Sequence, residues 1–528
     1  MEKRRLRILR ANKNILLLMS EEGIKRGARA GIFTAVCLFA GKIIGAAYKL
    51  PLINILGAEG MGAYQLVFPV FAAAIALTSG SAGIIISRNV AARRADPEIK
   101  DGCGACFFYT LLFSLGAAAF LCVFAGAIAK IQGFYEIKSC YYIIAPAVVF
   151  VGMSSCFKGV FNGGEEWRFS AVCQLAEQVV RAVFGLSLAY YFGRFSLIKG
   201  VMGAVAGVTA AEFFSLIVCF LHHLRGREKY PLKIRAEMGF FKRNKFITAQ
   251  YLIMPLNALA DGLIIVKLLT FYGYKNASSL YGIYGGSVNT LINMPVVVAL
   301  SAAVTIVPAV SYALASRSVI DIKERTRECV KYVLFITCAC FFGMFLLAEE
   351  AVDILFSSFS VQMREKTVFL LRLSCVNMMT ASLSGVFTAV IQALEEGNFC
   401  LKTSLFAGAG RIALMCALLP FLSIDGAAIS WVLYYAVTAL SGYLHCRKLL
   451  GADKEMIKNN GKILFGGVIM FLCLFAVKYG VKNLYVRTAV CISLGAAVYF
   501  AFCLLTGAIK IRRKNYYSPR RIWHKRGE

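Results

Sequence analysis

Two lysines inside an apolar segment are the first residues whose chemistry needs an explanation. Lys42 lies about twelve residues into an apolar run, and Lys49 follows seven residues later on roughly the same helical face. A charge in membrane hydrocarbon costs at least about 2.5 kcal/mol, so each lysine requires a partner. Two cations on one stripe suit an anion that crosses a membrane, such as a diphosphate. The alternative is that Lys42 pairs with a carboxylate on another helix, such as Asp261.

Two arginines join these lysines as candidates. Arg88 ends the second apolar segment, and an arginine can hold a phosphate through two hydrogen bonds. Arg411 lies inside a later segment with no acidic residue one helical turn away, whereas Arg181 has Glu177 at that distance, which indicates a structural pair. The predicted substrate-binding residues are therefore Lys42, Lys49, Arg88 and Arg411.

A polar stripe marks a third place of interest. Gln250, Asn257 and Asp261 are spaced by seven and four residues, which places them on one face of a helix. Such a stripe is expected to face the interior of a helical bundle, as a cavity wall or a site for a coupling cation such as Na⁺. The alternative is hydrogen bonding between helices.

Catalytic and metal-binding motifs are missing from the sequence. The four histidines lack metal-ligand spacing, the 18 cysteines fall mostly in apolar blocks, and no phosphate-binding GxxxxGK[ST] loop occurs. We therefore expect no enzyme activity, no cofactor and no bound metal.

Composition identifies the elements that must position these side chains. The chain has 528 residues, of which 59% are apolar and 16% charged, and its mean hydropathy is +0.69. Blocks of about 20 apolar residues exclude a soluble enzyme, a disordered chain and a secreted disulfide scaffold. The sequence predicts an all-α polytopic membrane protein with spans at 30–50, 62–87, 103–128, 139–163, 170–192, 199–223, 246–270, 282–312, 328–348, 366–393, 400–420, 424–446, 461–480 and 486–508.

The net charge of +30 is mainly a matter of topology. Of the 58 Lys and Arg residues, 42 lie on the terminal tails, in the even-numbered connections or at the span ends beside them. The positive-inside rule then places both termini in the cytoplasm. The basic tail is expected to contact anionic lipids, and no nucleic-acid partner is expected.

The chain also resembles itself at an offset near 230 residues. Phe161–Glu166 resembles Ile391–Glu396, and an arginine follows the first glutamate of each copy by 16 residues. This indicates two parallel six-span lobes, which in transporters of this kind rock around a substrate site between them. The predicted division is a basic segment 1–29, an N-lobe 30–224, a basic linker 225–245, a C-lobe 246–446, two further spans within 461–508 and a basic tail 509–528.

The first two spans also carry a recognisable motif: Lys42, then Tyr48–Gly57, Gly60–Tyr64, Pro69 and Ser87-Arg88. With the fourteen-span plan, it resembles the stage V sporulation protein B and polysaccharide-flippase branch of the multidrug/oligosaccharidyl-lipid/polysaccharide (MOP, MATE-like) exporter superfamily. The resemblance implies a two-lobed bundle that moves a lipid-linked sugar to the outer leaflet, with a cationic cavity at Lys42, Lys49 and Arg88. Lipid II flippases also have a basic cavity residue in span 8, whereas Val288–Ala313 contains none.

The expected function is accordingly a flippase for an undecaprenyl-diphosphate sugar or a peptidoglycan precursor in the bacterial cytoplasmic membrane. Its partners would be the lipid-linked glycan, membrane lipids and a coupling Na⁺ or H⁺. The alternative is a cation-coupled multidrug exporter of the same fold, although the first span has no acidic residue to attract a cationic drug.

Overall fold

The computed structural model describes residues 21–95, 103–225, 240–274, 276–303, 310, 319–394, 396–478, 480 and 483–509. These residues form no strand, and the all-α expectation is confirmed. The helices are α1 (Glu21–Ala47), α2 (Lys49–Thr78), α3 (Ala82–Ala95), α4 (Cys103–Ile131), α5 (Lys138–Gly163), α6 (Trp167–Gly193), α7 (Leu197–Arg225), α8 (Phe240–Phe271), α9 (Ala277–Gly282), α10 (Asn289–Ala303), α11 (Val319–Leu346), α12 (Ala348–Leu355), α13 (Val361–Ser374), α14 (Val376–Ala393), α15 (Gly397–Leu422), α16 (Ile424–Leu450), α17 (Lys454–Lys478) and α18 (Leu484–Leu505).

Twelve segments of the described chain are long and apolar enough to cross a membrane. The first of them, Val36–Ala91, has 56 residues and is long enough to cross twice at 1.5 Å per residue. The 32-residue helix α8 is not one of the twelve, but it contains the predicted span 246–270. With Val36–Ala91 counted twice and α8 added, the count reaches the fourteen predicted spans. The chain is a multi-pass membrane protein.

Some boundaries differ from the predicted ones. The predicted span 62–87 is split between α2 and α3, and α2 itself bends at Gly57, whose φ of 67° is a conformation that favours glycine. The predicted span 282–312 begins as a π-helical stretch, Ile283–Val288. The rest of that span beyond residue 303, apart from residue 310, lies outside the described residues. So does most of the predicted segments 1–29, 225–245 and 509–528.

The helices pack mainly with neighbours from the same part of the chain. In the N-terminal half, α1–α7, helix α6 packs on α1 and α7, and α5 packs on α3, α4 and α7. In the C-terminal half, α8–α16, helix α15 packs on α8 and α16, and α14 packs on α10, α11 and α16. Helices α17 and α18 pair with each other and pack against α11.

A close crossing of α2 with α8 and α9 joins the two halves. A Cβ atom on Gly62 would lie 2.0 Å from the carbonyl oxygen of Ser278, and one on Gly282 would lie 2.0 Å from that of Ala58. The amide of Gln65 donates a hydrogen bond to the carbonyl of Gly285 at 3.2 Å. The two backbones can therefore meet only because both crossing positions are glycines.

An ion-pair cluster holds α17 and α18 to the C-terminal half. The fully buried Glu350 of α12 lies 3.2 Å from the ammonium of Lys478 and 3.1 Å from Nε of Arg487. Its neighbour Glu349 accepts a hydrogen bond from Arg372 at 2.9 Å, and this bond lowers the pKa of Glu349 below its usual value.

We expect Gly62→Ala to destabilise the protein because its methyl group would overlap the backbone of α9. Overpacking of this kind costs about 1–3 kcal/mol. Thermal unfolding of the purified full chain in detergent measures the effect. Gly116→Ala is the matched control, because a Cβ there meets no atom within 4 Å. Equal melting temperatures for the two variants would show that the crossing is looser than described.

Candidate functional site

Lys42 and Lys49 face the same cavity, which we call the central cavity. It has a volume of about 530 Å³ and lies between α1 and α6 of the N-terminal half and α10 of the C-terminal half. The Lys42 side chain is exposed and that of Lys49 is half-buried. Neither ammonium group forms a hydrogen bond or ion pair with any residue in the described part of the chain. The other polar residues that line the central cavity include Gln174, Glu177 and Gln178 from α6 and Thr290, Asn293 and Ser301 from α10.

Two glycines of α1, on either side of Lys42, lie against α6. A Cβ on Gly45 would lie 2.5 Å from Oε1 of Gln178, and one on Gly41 would lie 3.6 Å from the backbone of α6. Small residues at these positions let the two helices approach closely. As a result, the lysine side of α1 shares a cavity wall with Gln178 and its neighbours on α6.

A second cavity, the N-terminal pocket, lies beside the central cavity and has a volume of about 820 Å³. Four of its charged residues form a network. Glu177 lies 2.9 Å from the ammonium of Lys158 and 3.3 Å from the guanidinium of Arg181, which also lies 2.5 Å from Glu212. Two acids and two bases give this network no net charge.

Arg88 lines the N-terminal pocket from α3. The pocket and the central cavity share Gln174 and Glu177 as common walls. Arg88 therefore lies in the cavity that adjoins the one lined by Lys42 and Lys49. Because the four-residue network is neutral, Lys42 and Lys49 are an excess of positive charge among the described residues, as an anionic ligand would require.

Arg411 is placed differently from the other three predicted residues. Its side chain is fully buried, donates to Oδ1 of Asp261 at 2.6 Å and to the carbonyl of Asn257 at 2.9 Å, and packs over the ring of Trp431. Trp431 donates its indole hydrogen to Oδ2 of the same aspartate at 2.7 Å. Arg411 is neutralised within the C-terminal half and lines none of the cavities described above.

Asp261 has a partner within the C-terminal half. In the described state that partner is Arg411, not Lys42, and Asn257 and Asp261 both bond to this arginine of another helix. A cation at Asn257 and Asp261 would have to displace the arginine. Gln250 belongs to α8, but its side chain lies outside the described residues.

Sequence reasoning missed Lys158 and Glu212 as site residues. Both had a visible signal, because Lys158 falls within the predicted span 139–163 and Glu212 near the middle of the predicted span 199–223. The Arg181–Glu177 pair was predicted correctly, but its extension to Glu212 depends on the packing of α6 against α7. Within the described chain, no group of His, Cys, Asp and Glu residues could hold a metal ion.

A family model described as polysaccharide biosynthesis protein matches residues 28–314, which is more than half of the chain. The chain is 23% identical over 501 residues to stage V sporulation protein B of Bacillus subtilis (strain 168), and the match covers 90% of this chain and 95% of that protein.

Two solved structures share the fold. An inward-facing multidrug resistance MATE family transporter of the MOP superfamily matches with a TM-score of 0.66 and 16% identity, over 79% of this chain and 95% of that one. Lipid II flippase MurJ in an inward closed conformation matches with a TM-score of 0.63 and 13% identity, over 90% and 98%. The expected MOP fold is confirmed.

We expect the single substitution Arg411→Leu to cost more stability than the double substitution Arg411→Leu with Asp261→Leu. The single variant leaves a buried carboxylate without its cation, a loss of about 3–5 kcal/mol, whereas the double variant buries no charge. Thermal unfolding in detergent compares them, with the exposed Arg168→Leu as control. If the double variant melted no higher than the single variant, the carboxylate would not depend on this arginine.

Proposed function

Because this chain belongs to the polysaccharide biosynthesis protein family, we propose that it is a flippase for an undecaprenyl-diphosphate-linked sugar or peptidoglycan precursor. It would act in the bacterial cytoplasmic membrane with both termini in the cytoplasm, and no chemical step would be required of it. The family, the fold and the similarity to stage V sporulation protein B and to a lipid II flippase support a membrane flippase or transporter. The identity of the substrate rests on the cavity.

The observation that carries the proposal is the pair of unpartnered lysines in the central cavity. A charge at membrane depth is expensive unless an opposite charge neutralises it. The charged residues of the neighbouring network neutralise one another, but Lys42 and Lys49 have no such partner among the described residues. We propose that the diphosphate of the lipid-linked sugar neutralises them during passage, with Arg88 in the adjoining N-terminal pocket as a further phosphate contact.

The route follows from the position of the cavity between the halves. We propose that the crossing at Gly62 and Gly282 closes one end of the bundle and that the central cavity opens at the other, cytoplasmic end. Rocking of the halves would open the crossing and present the headgroup to the outer leaflet. The lipid tail would stay in the bilayer throughout.

We expect Lys42→Ala to lower the flipping rate at least tenfold, because a charge-assisted hydrogen bond to phosphate contributes about 1.5–3 kcal/mol. The assay uses the full chain in liposomes containing a fluorescent undecaprenyl-diphosphate sugar, and measures the accessibility of the probe to a reagent outside. Lys42→Arg should keep most of the rate because the charge remains.

The control is Lys130→Ala, which removes an exposed lysine remote from the cavity. If the Lys42→Ala variant flipped the lipid at the wild-type rate, the cationic-cavity mechanism would be contradicted. Export of cationic drugs without any flipping of the lipid would favour the multidrug-exporter alternative, for which the MATE fold and the acidic residues Glu177 and Glu212 are the relevant observations.

We further propose that the polar face of α8 couples transport to Na⁺ or H⁺. This coupling requires Arg411 to release Asp261 in one conformation. An imposed ion gradient should then change the flipping rate of wild-type vesicles. Asp261→Asn should abolish this response while gradient-independent flipping continues. A gradient response that survives Asp261→Asn would place the coupling site elsewhere.

A further inference from the structure

The two halves carry pockets at repeat-equivalent positions. The second of these, the C-terminal pocket, has a volume of about 400 Å³ and lies among α10, α14, α15 and α16. Seven of its lining positions follow lining positions of the N-terminal pocket by 230 residues, the offset of the internal repeat. Among them are Lys158 and Thr388, Asn162 and Gln392, and Gln174 and Ser404. The two pockets thus occupy corresponding positions in the two copies of the repeat.

The chemistry of the two pockets has diverged. The N-terminal pocket contains Arg88 and the charged network of Lys158, Glu177, Arg181 and Glu212. No described residue that lines the C-terminal pocket is charged, and threonine stands where the N-terminal copy has Lys158. The described lining therefore offers no cation to a diphosphate and favours a neutral group.

The polar groups of this pocket are arranged for a neutral ligand rich in hydroxyls. The side chains of Asn293, Thr388 and Gln392 form no hydrogen bond with the described part of the protein. Amides and hydroxyls both donate and accept, as recognition of a sugar hydroxyl requires. The ring of Tyr435 stacks on Trp431 with centroids 5.4 Å apart and forms an aromatic wall for the apolar face of a sugar ring.

The C-terminal pocket adjoins the central cavity. Asn293 lines both this pocket and the central cavity, in which Lys42 and Lys49 lie. A headgroup seated there would meet cationic side chains from the N-terminal half and uncharged polar side chains from the C-terminal half. Cationic side chains followed by uncharged polar ones match the order of groups in a lipid-linked sugar, in which the diphosphate precedes the first sugar unit.

We propose that the C-terminal pocket is a sugar subsite, in which Asn293, Thr388 and Gln392 bind uncharged sugar units while Lys42 and Lys49 hold the adjoining diphosphate. This inference rests on the proposed flippase function and adds a substrate class to it. The preferred substrates carry neutral sugars next to the diphosphate, and anionic sugars are disfavoured because the pocket offers them no cation.

The test measures binding to the full chain in detergent with two probes. One is farnesyl diphosphate, and the other is the same lipid diphosphate bearing two neutral N-acetylhexosamine units. Wild type should bind the sugar-bearing probe about tenfold more tightly. Thr388→Ala and Gln392→Ala should weaken binding of that probe about five- to tenfold and leave binding of farnesyl diphosphate unchanged, whereas Lys42→Ala should weaken both.

Gln362→Ala, which removes an exposed glutamine of α13, is the matched control and should change neither affinity. Thr388→Lys, which restores the charge of the N-terminal copy, should remove the preference for the neutral sugar. Equal affinity of wild type for the two probes, or equal effects of Gln392→Ala on both, would overturn the sugar subsite and leave the flippase proposal standing. Binding of neither probe, or binding that Lys42→Ala does not weaken, would overturn the flippase proposal itself.

Discussion

Neutralisation of charge inside an apolar bundle is the constraint on which the rest of this structure depends. The hydrocarbon offers no water to solvate an ion, so each buried cation needs an anion from the protein or from a ligand. Arg411 and Arg181 are satisfied by acids of the same half, and Lys478 by Glu350 beside it. Lys42 and Lys49 are the exception in the central cavity, and their exposure to it leaves room for a ligand to act as the counterion.

The same constraint explains how the repeat-related halves have diverged. Arg181 and Arg411 occupy equivalent positions, yet the first is neutralised by acids on α6 and α7 and the second by an acid on α8. Because Asp261 on α8 neutralises Arg411, no acidic residue is needed beside Arg411 on α15 or α16. The described lining of the C-terminal pocket is consequently free of charge, whereas the N-terminal half keeps its network at the cavity wall.

The division between what the sequence predicts and what it does not has a physical basis. Helix number and class follow from apolar run length, a local property, and the Arg181–Glu177 pair follows from helical periodicity. The partner of Arg411 lies 150 residues away on another helix, so one-turn spacing could only show that it had no local partner. Breaks such as Gly57 depend on where the chain must turn, and hydropathy does not record that.

The placement of ion pairs also bears on motion between the halves. The ion pairs of Arg181 lie inside the N-terminal half and that of Arg411 inside the C-terminal half, where breaking them would leave an unpaired charge and make deformation costly. The crossing of α2 with α8 and α9 instead uses backbone contact at Gly62 and Gly282 and neutral hydrogen bonds such as that from Gln65 to Gly285. Such contacts can be exchanged for lipid or water without exposing a charge. Close packing of this kind is either made or lost rather than stretched, which favours two rigid halves that separate at the crossing as units.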